Sequence, residues 1–352
     1  MSHATADRYA WTEPGVEDLG GGVHRIPLPL PIDGLRAVNV YAIADPAGID
    51  LIDAGIALVP AREQLTAALR QLGYELGDVR NFFVTHVHID HYSLAVELRK
   101  TFHNIISLGE HERANLVATR EMVKGNGKGF FGVDVMRRLG ALELVTGFSA
   151  QNRQPPAIVD WEDPDHWLTD GIDLDLRTRT LRAVHTPGHT RGHLVYHDAA
   201  AQLMFAGDHV LPHITPSVGV ETVSTPAPLA SFLESLALVR ALPDLRLLPA
   251  HGPAGGSSHA RVDELVAHHD ARLAEIRQAV VAGGEQPALS IAMRLGWTRH
   301  RREFGELDFF NQVLAIGETI AHLTVLGRSG LVTQRTDGDV VLHAAAAPGQ
   351  PS

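Results

Sequence analysis

The chain of 352 residues contains no cysteine. That excludes disulfides, zinc–thiolate sites and thiol nucleophiles, and it leaves histidine and the carboxylates as metal ligands. Lysine is nearly absent, 3 residues against 27 arginines, which reads as biased coding composition. Positive charge is in deficit overall: the formal net charge of −11 argues against sequence-independent nucleic-acid binding, which depends on basic surface. No uninterrupted apolar run reads as long enough to cross a bilayer. The start, MSHATADRYAWTEPG, lacks the basic segment and apolar core of a secretory signal, so a cytoplasmic protein with no membrane partner is expected. No G-x-S-x-G occurs, and no serine nucleophile is signalled. Low-complexity sequence is confined to the small-residue tail, where residues 346–352 are expected to be disordered. The rest is an ordinary globular balance, 45% hydrophobic and 20% charged, long enough for one large core and an appended domain.

Against that background one stretch stands out. Thr85-His86-Val87-His88-Ile89-Asp90-His91 follows the apolar run Asn81-Phe82-Phe83-Val84 and packs three imidazoles and a carboxylate into six positions. Histidine and aspartate together suit borderline divalent metals. On extended chain alternate residues share a face, so His86 and His88 can address one ion, while Asp90 repeats that direction and His91 turns away by one step. One loop can thus serve two adjacent ions, His86 and His88 on the first, Asp90 and His91 on the second.

Four ligands do not complete two coordination shells, so more are expected downstream. His189 in VHTPGHTRGH, Asp208 in LMFAGDHVL and His251 in RLLPAHGP each follow an apolar segment beside a glycine that lets the backbone turn (Gly188, Gly207, Gly252). With Asp53 in LIDAG ahead of them, these five motifs in this order resemble the metallo-β-lactamase superfamily over about residues 20 to 255. The resemblance implies His86, His88 and His189 on one metal, Asp90, His91 and His251 on the other, and Asp208 bridging. It makes Asp53 a carboxylate beside the site that orients a ligating imidazole. Iron or manganese can occupy such sites. In diiron members a site histidine gives way to a carboxylate, whereas position 88 keeps histidine, so two zinc ions are expected.

The implied fold is α/β, the four-layer αβ/βα sandwich of that family; periodicity alone gives only mixed α and β. Residues 23 to 53 read as three β segments, 59 to 74 as a helix with Leu65, Ala68, Leu69 and Leu72 on one stripe, and 93 to 102 as a helix starting after His91. Further strands are expected near 157–160, 172–176, 180–185, 193–198, 202–206 and 246–249. Residues 111–150, with Met122, Phe130, Phe131 and Met136 among glycines, read as a helical insertion that caps the site within a catalytic domain 1–260. Residues 261–345 then read as helix, helix, helix and a hairpin around Asp337-Gly338, resembling the small winged-helix domain appended in one branch of the superfamily. With nine arginines, no lysines and eleven acidic residues between 261 and 343, and Arg299, Arg301 and Arg302 as the one basic cluster, it suits a structural or homodimer-forming role better than nucleic acid.

The expected chemistry is hydrolysis. Two ions about 3.5–4 Å apart can share a hydroxide as nucleophile. Asp90 is placed to orient it and accept its proton, as the catalytic residue. The loop 208–220 offers His209 and His213 as further contacts to ligands or substrate, with His185 and His193 flanking His189. That apolar loop and the cap favour a small-molecule acyl substrate, a carboxylic thioester or ester such as an acyl-CoA or a glutathione conjugate. A phosphodiesterase of the endoribonuclease type, or a lactone hydrolase, on the same site is the alternative, and a basic groove would mark the former. A non-enzymatic winged-helix binding protein is a third reading, disfavoured because all seven ligand positions are filled.

Overall fold

The computed structural model describes residues 8–31, 34–125, 132–144, 160–219, 221–223 and 225–347. Among these, seven strands form a first sheet in sequence order: β1 (Glu17–Gly20), β2 (Val23–Pro29), β3 (Ala37–Asp45), β4 (Gly48–Ile52), β5 (Val79–Phe83), β6 (Ile105–Gly109) and β7 (His166–Leu168). β1 to β4 pair antiparallel as a meander, whereas β4 to β7 run parallel. Parallel neighbours need a crossover. Helices α1 (Val59–Gln71) and α2 (Ile89–Phe102) supply two of them. α1 buries Ala61, Leu65, Ala68 and Leu69, the stripe its spacing anticipates.

A second sheet has the order β12-β11-β10-β9-β8, from β8 (Asp173–Asp175), β9 (Thr180–His185), β10 (Leu194–Asp198), β11 (Leu203–Gly207) and β12 (Arg246–Pro249). The two sheets meet face to face: Tyr41, Ile43, Ile52 and Phe83 of the first pack with Ala183, Leu194, Tyr196, Phe205 and Leu248 of the second. The outer face of the first sheet is covered by α1 and α2 through Leu51, Phe82, Leu65 and Tyr92. The outer face of the second carries α5 (Pro228–Ala241) and the start of α6 (Ser258–Gly283), through Val195, Met204, Phe232, Leu236 and Val262. Strands covered on both faces cannot alternate, and β3, β10 and β11 are accordingly buried along nearly their whole length. Each large apolar side chain so enclosed contributes roughly 1.5–3 kcal/mol. The architecture is the four-layer αβ/βα sandwich.

The last part of the chain continues α6 into β13 (Gln286–Pro287), α7 (Ala288–Ala292), α8 (Phe309–Arg328) and the hairpin β14 (Val332–Asp337) and β15 (Val340–Ala345), with β15 between β13 and β14. α6 belongs to both parts: Val262 and Leu265 join the core under the second sheet, Ile276 and Val280 the C-terminal core.

Several expectations need correction. α2 starts at Ile89, capped by His88, so Asp90 and His91 sit in a first helical turn and not on extended chain. Of the insertion, α3 (Arg113–Val123) and α4 (Val133–Arg138) are described, but Met136 is buried in the C-terminal core beside Ile276, Val280 and Ile291 and does not cap the site. Phe130, Phe131, residues 157–159 of an expected strand, and residues 348–352 of the tail lie outside the described residues. The loop after Asp208 turns Val210 and Val218 into the core under the second sheet, so its apolar character reflects packing. α8 is long and apolar enough to cross a bilayer by length and composition alone, contrary to the reading of the bare sequence. It is half buried, and Val313, Ile316, Leu323 and Leu326 pack on α6 and α7 as a core helix does.

Candidate metal centre

The site lies where strands of both sheets end. β5 delivers His86 and His88, α2 begins with Asp90 and His91, β9 leads to His189, β11 to Asp208 and β12 to His251. Two of the turns admit only glycine. Gly207 has φ +50°, and a Cβ there would meet His193 Nε2 at 2.6 Å and Thr85 Cβ at 2.8 Å. Gly188 has φ +141°, and a Cβ would lie 2.5 Å from the Phe232 backbone.

The seven side chains gather into two adjoining groups, His86, His88, His189 and Asp208 in one and Asp90, His91 and His251 in the other, with ligand atoms within 4.8 Å of one another in each. In the first, His86 Nε2 lies 2.9 Å from His88 Nδ1 and 3.2 Å from His189 Nε2, and His88 Nδ1 is 3.0 Å from His189 Nε2. Asp208 Oδ2 is 3.5 Å from His189 Nε2, while its Oδ1 faces the second group, 3.4 Å from His251 Nε2 and 3.7 Å from His91 Nε2. Asp90 Oδ2 lies 3.4 Å from His251 Nε2 and 3.7 Å from His91 Nε2. One carboxylate thus spans both groups.

The outward nitrogens determine what the inward ones carry. His189 Nδ1–H donates to the Ser217 carbonyl at 2.8 Å, His251 Nδ1–H to the Ala37 carbonyl at 2.8 Å, and His91 Nδ1–H to Asp53 Oδ2 at 2.9 Å. His86 Nδ1 faces Thr85 Oγ1 at 3.1 Å, and that hydroxyl is itself committed to Asp53. With the ring neutral, His91, His189 and His251 therefore turn the Nε2 lone pair inward. His91 Nε2, His251 Nε2 and Asp208 Oδ1 are buried with no hydrogen-bond partner. Unpaired buried acceptors cost about 1–3 kcal/mol each. Converging lone pairs and a carboxylate repel one another unless a cation lies between them, so the residues present fit divalent metal.

The electrostatics divide the two groups: the first is held neutral, and the carboxylates around the second draw positive charge onto its histidines. Burial, with neighbouring imidazoles, holds His86 well below its ordinary value, His88 down to about 3 and His189 to about 4. Burial would lower His91 as well, but Asp53, Asp90 and Asp208 push it up to about 10. His251 is raised against its burial by Asp208 and Asp90. Asp90 would be raised by burial, but His91 and His251 hold it well below the carboxylate range.

Asp53 lies against His91, buried and in left-handed backbone at φ 61°, a strain that aspartate tolerates better than most residues. Besides His91 it accepts the Thr85 N–H at 2.8 Å, tying β4 to the ligand loop. His193 is a partner of Asp208: its Nε2 accepts the Asp208 N–H at 3.1 Å while its Nδ1 faces Thr186 Oγ1 at 2.9 Å. His209 and His213 do not join either group. His209 is buried against Phe232, ring centroids 5.0 Å apart, and His213 is exposed. His185 turns outward to the Arg191 carbonyl at 2.8 Å.

Sequence reasoning missed Thr85, Asn39 and Glu112. Asn39 donates to the Pro249 and Gly252 carbonyls at 2.9 and 2.7 Å, around His251. Glu112 is fully buried, accepts from Thr190 Oγ1 and from Asn115 Nδ2, and is pushed up to about 7 by burial and by Glu221.

Residues 33–251 match the sequence profile of the Metallo-beta-lactamase superfamily. The chain belongs to that superfamily. A solved metallo-beta-lactamase family protein from Thermus thermophilus is 26% identical, with TM-score 0.75, covering 93% of this superfamily member and all of that chain. Shorter stretches resemble an atrochrysone carboxyl ACP thioesterase from Aspergillus fumigatus, 36% identical over 85 residues, 24% of this chain and 18% of that protein. They also resemble a hydroxyacylglutathione hydrolase from Aeromonas salmonicida, 36% identical over 88 residues, 24% of this chain and 32% of that protein. The chain spans about half the length, or less, of the curated relatives it matches.

Proposed function

We propose that the chain is a dinuclear zinc hydrolase acting on a carboxylic thioester or ester. The observation that carries it is the convergence of five imidazoles and two carboxylates whose inward acceptors include three that are buried and unpaired. His86, His88 and His189 would hold one ion, Asp90, His91 and His251 the other, and Asp208 both. Bound there, the ions would supply Lewis acidity and water activated near neutral pH.

The chain's own groups do the rest. Asp90, kept ionised by His91 and His251 against its burial, accepts the proton of the attacking water. Asp53 holds the His91 ring in the tautomer that presents Nε2. The Ser217 and Ala37 carbonyls do the same for His189 and His251.

An acyl substrate is supported by relatives named as an ACP thioesterase and a hydroxyacylglutathione hydrolase, and by the net charge of −11, which disfavours a polyanionic chain. In the C-terminal part the winged-helix reading rests on α6, α7, α8 and the β14–β15 hairpin, and the exposed Arg301 is already paired with Glu275 at 2.9 Å. A structural or dimer-forming role suits it.

The test is a panel of thioesters, esters, lactones and phosphodiesters with zinc-loaded protein. Thioester or ester turnover should dominate, and His86→Ala should abolish it together with about one equivalent of bound zinc. Dominant phosphodiester turnover, lost in the same variant, would overturn the substrate and keep the site. A wild-type protein that binds no metal would overturn both.

A further inference from the structure

Two buried polar side chains outside the ligand set each touch the turns of one metal group and not the other. Glu112, ahead of α3, accepts from Thr190 Oγ1, next to His189. Gly192 packs so closely on the Glu112 backbone that no side chain would fit. Asn115 donates from one amide group to both Glu112 Oε2 and Glu221 Oε2 at 2.9 Å. Glu221 in turn accepts the Arg191 N–H at 3.0 Å. The turn that carries His189 is therefore gripped from both sides.

Asn39 does the corresponding task on the far side. It is fully buried in β3, with Nδ2 donating to the Pro249 and Gly252 carbonyls and its own N–H to Ala250 O at 2.7 Å. Its Oδ1 is fixed by Arg25 Nη1 at 2.9 Å. Two residues earlier in β3, Ala37 O accepts from His251 Nδ1. The hydrogen bonds of Glu112 thus reach the turn at 190, and those of Asn39 the turn 249–252.

We propose that Glu112 and Asn39 are separate positioning residues, Glu112 setting the affinity of the His86/His88/His189 half of the centre and Asn39 that of the Asp90/His91/His251 half. The two halves are thereby tuned independently although Asp208 joins them. The inference rests on the metal-binding reading and is indifferent to the substrate.

The experiment is a crossover read by zinc titration of chelator-stripped full-length protein. In a His251→Ala background, which leaves the first half intact, Glu112→Gln should weaken the remaining zinc binding by about tenfold or more while Asn39→Asp leaves it within about twofold. In a His189→Ala background the order should reverse. Equal losses in both backgrounds, or none, would overturn the proposal. Should a single-half background fail to hold zinc, hydrogen exchange of the metal-free single variants decides. Glu112→Gln should speed exchange at residues 186–193 and spare 249–253, and Asn39→Asp should do the opposite; uniform acceleration overturns the assignment. Failure of the wild type to bind zinc would instead remove the metal reading itself.

Discussion

A histidine has two nitrogens, and in this centre the one facing away decides what the other offers. The clearest case is His91, whose Nδ1 proton is held by a carboxylate and not by a carbonyl. Asp53 supplies a charge as well as an acceptor there, and it also anchors the Thr85 N–H and hydroxyl, so the ligand loop and the ring orientation share one residue. Replacing it with asparagine keeps the shape but puts an amide NH2 among donors. Asp53→Asn should therefore lower zinc affinity by about 10–100-fold, with a parallel loss of activity and a fold unchanged by circular dichroism. Zinc affinity equal to that of the wild type would show that the carboxylate contributes nothing beyond a hydrogen bond.

Among the elements, those with strong local signals were legible. The strand-to-turn delivery of His86 to His91 follows an apolar run, and His189, Asp208 and His251 each follow a strand and adjoin a glycine, which is why the sequence singles out the side chains that the fold brings together. α1 and the long α6 declare themselves by stripe or length. α5 does not: PLASFLESLALVRA is apolar on most faces because the helix is pressed between the second sheet and α6, so it shows little contrast. β1, β7 and β13 are two to four residues long and carry no pattern to read. The holders of the ligands were hidden for another reason. Asn39 acts on residues 210 positions away and Glu112 on one 78 away, and neither residue type is unusual where it stands. α4 shows tertiary packing overriding a local impression, since Met136 fills the C-terminal core with Trp297, Val280 and Ala288 instead of leaning over the metals. Met136→Ala should cost roughly 2–5 kcal/mol in urea unfolding by leaving a cavity, with kcat/KM for the preferred substrate unchanged. A variant of normal stability with altered KM would restore Met136 to the substrate path.

On the scale of the whole molecule, the catalytic sandwich and the C-terminal part are joined through α6 and α8, and the joint contains buried histidines that serve no ligand. His269 Nδ1 and His322 Nε2 lie 3.2 Å apart, and His322 Nδ1–H donates to the Glu318 carbonyl at 2.7 Å, so the contact between the rings needs a lone pair from at least one of them. Burial, with His322, His268 and Arg272 nearby, lowers His269 to about 3; burial lowers His322 too, although Glu318 opposes it. Phe232 closes the other side of His269, ring centroids 5.5 Å apart. In the unfolded chain these imidazoles take up protons near pH 6.5, whereas in the folded one His269 resists until about pH 3 and His322 is held below its ordinary value. The unfolded state then binds more protons throughout that window, so stability is complete above about pH 6.5 and falls as pH drops towards about 3, at about 1.4 kcal/mol per pH unit for each histidine fully within it. Measured with chelator present, to keep metal out of the comparison, the urea midpoint should fall between about pH 7.5 and about pH 5. The double variant His269→Leu/His322→Leu should recover at least about 2 kcal/mol of that loss, because it removes the proton uptake from the unfolded state. Parallel pH dependences for wild type and variant would show that the joint is indifferent to protonation and that acid lability arises elsewhere.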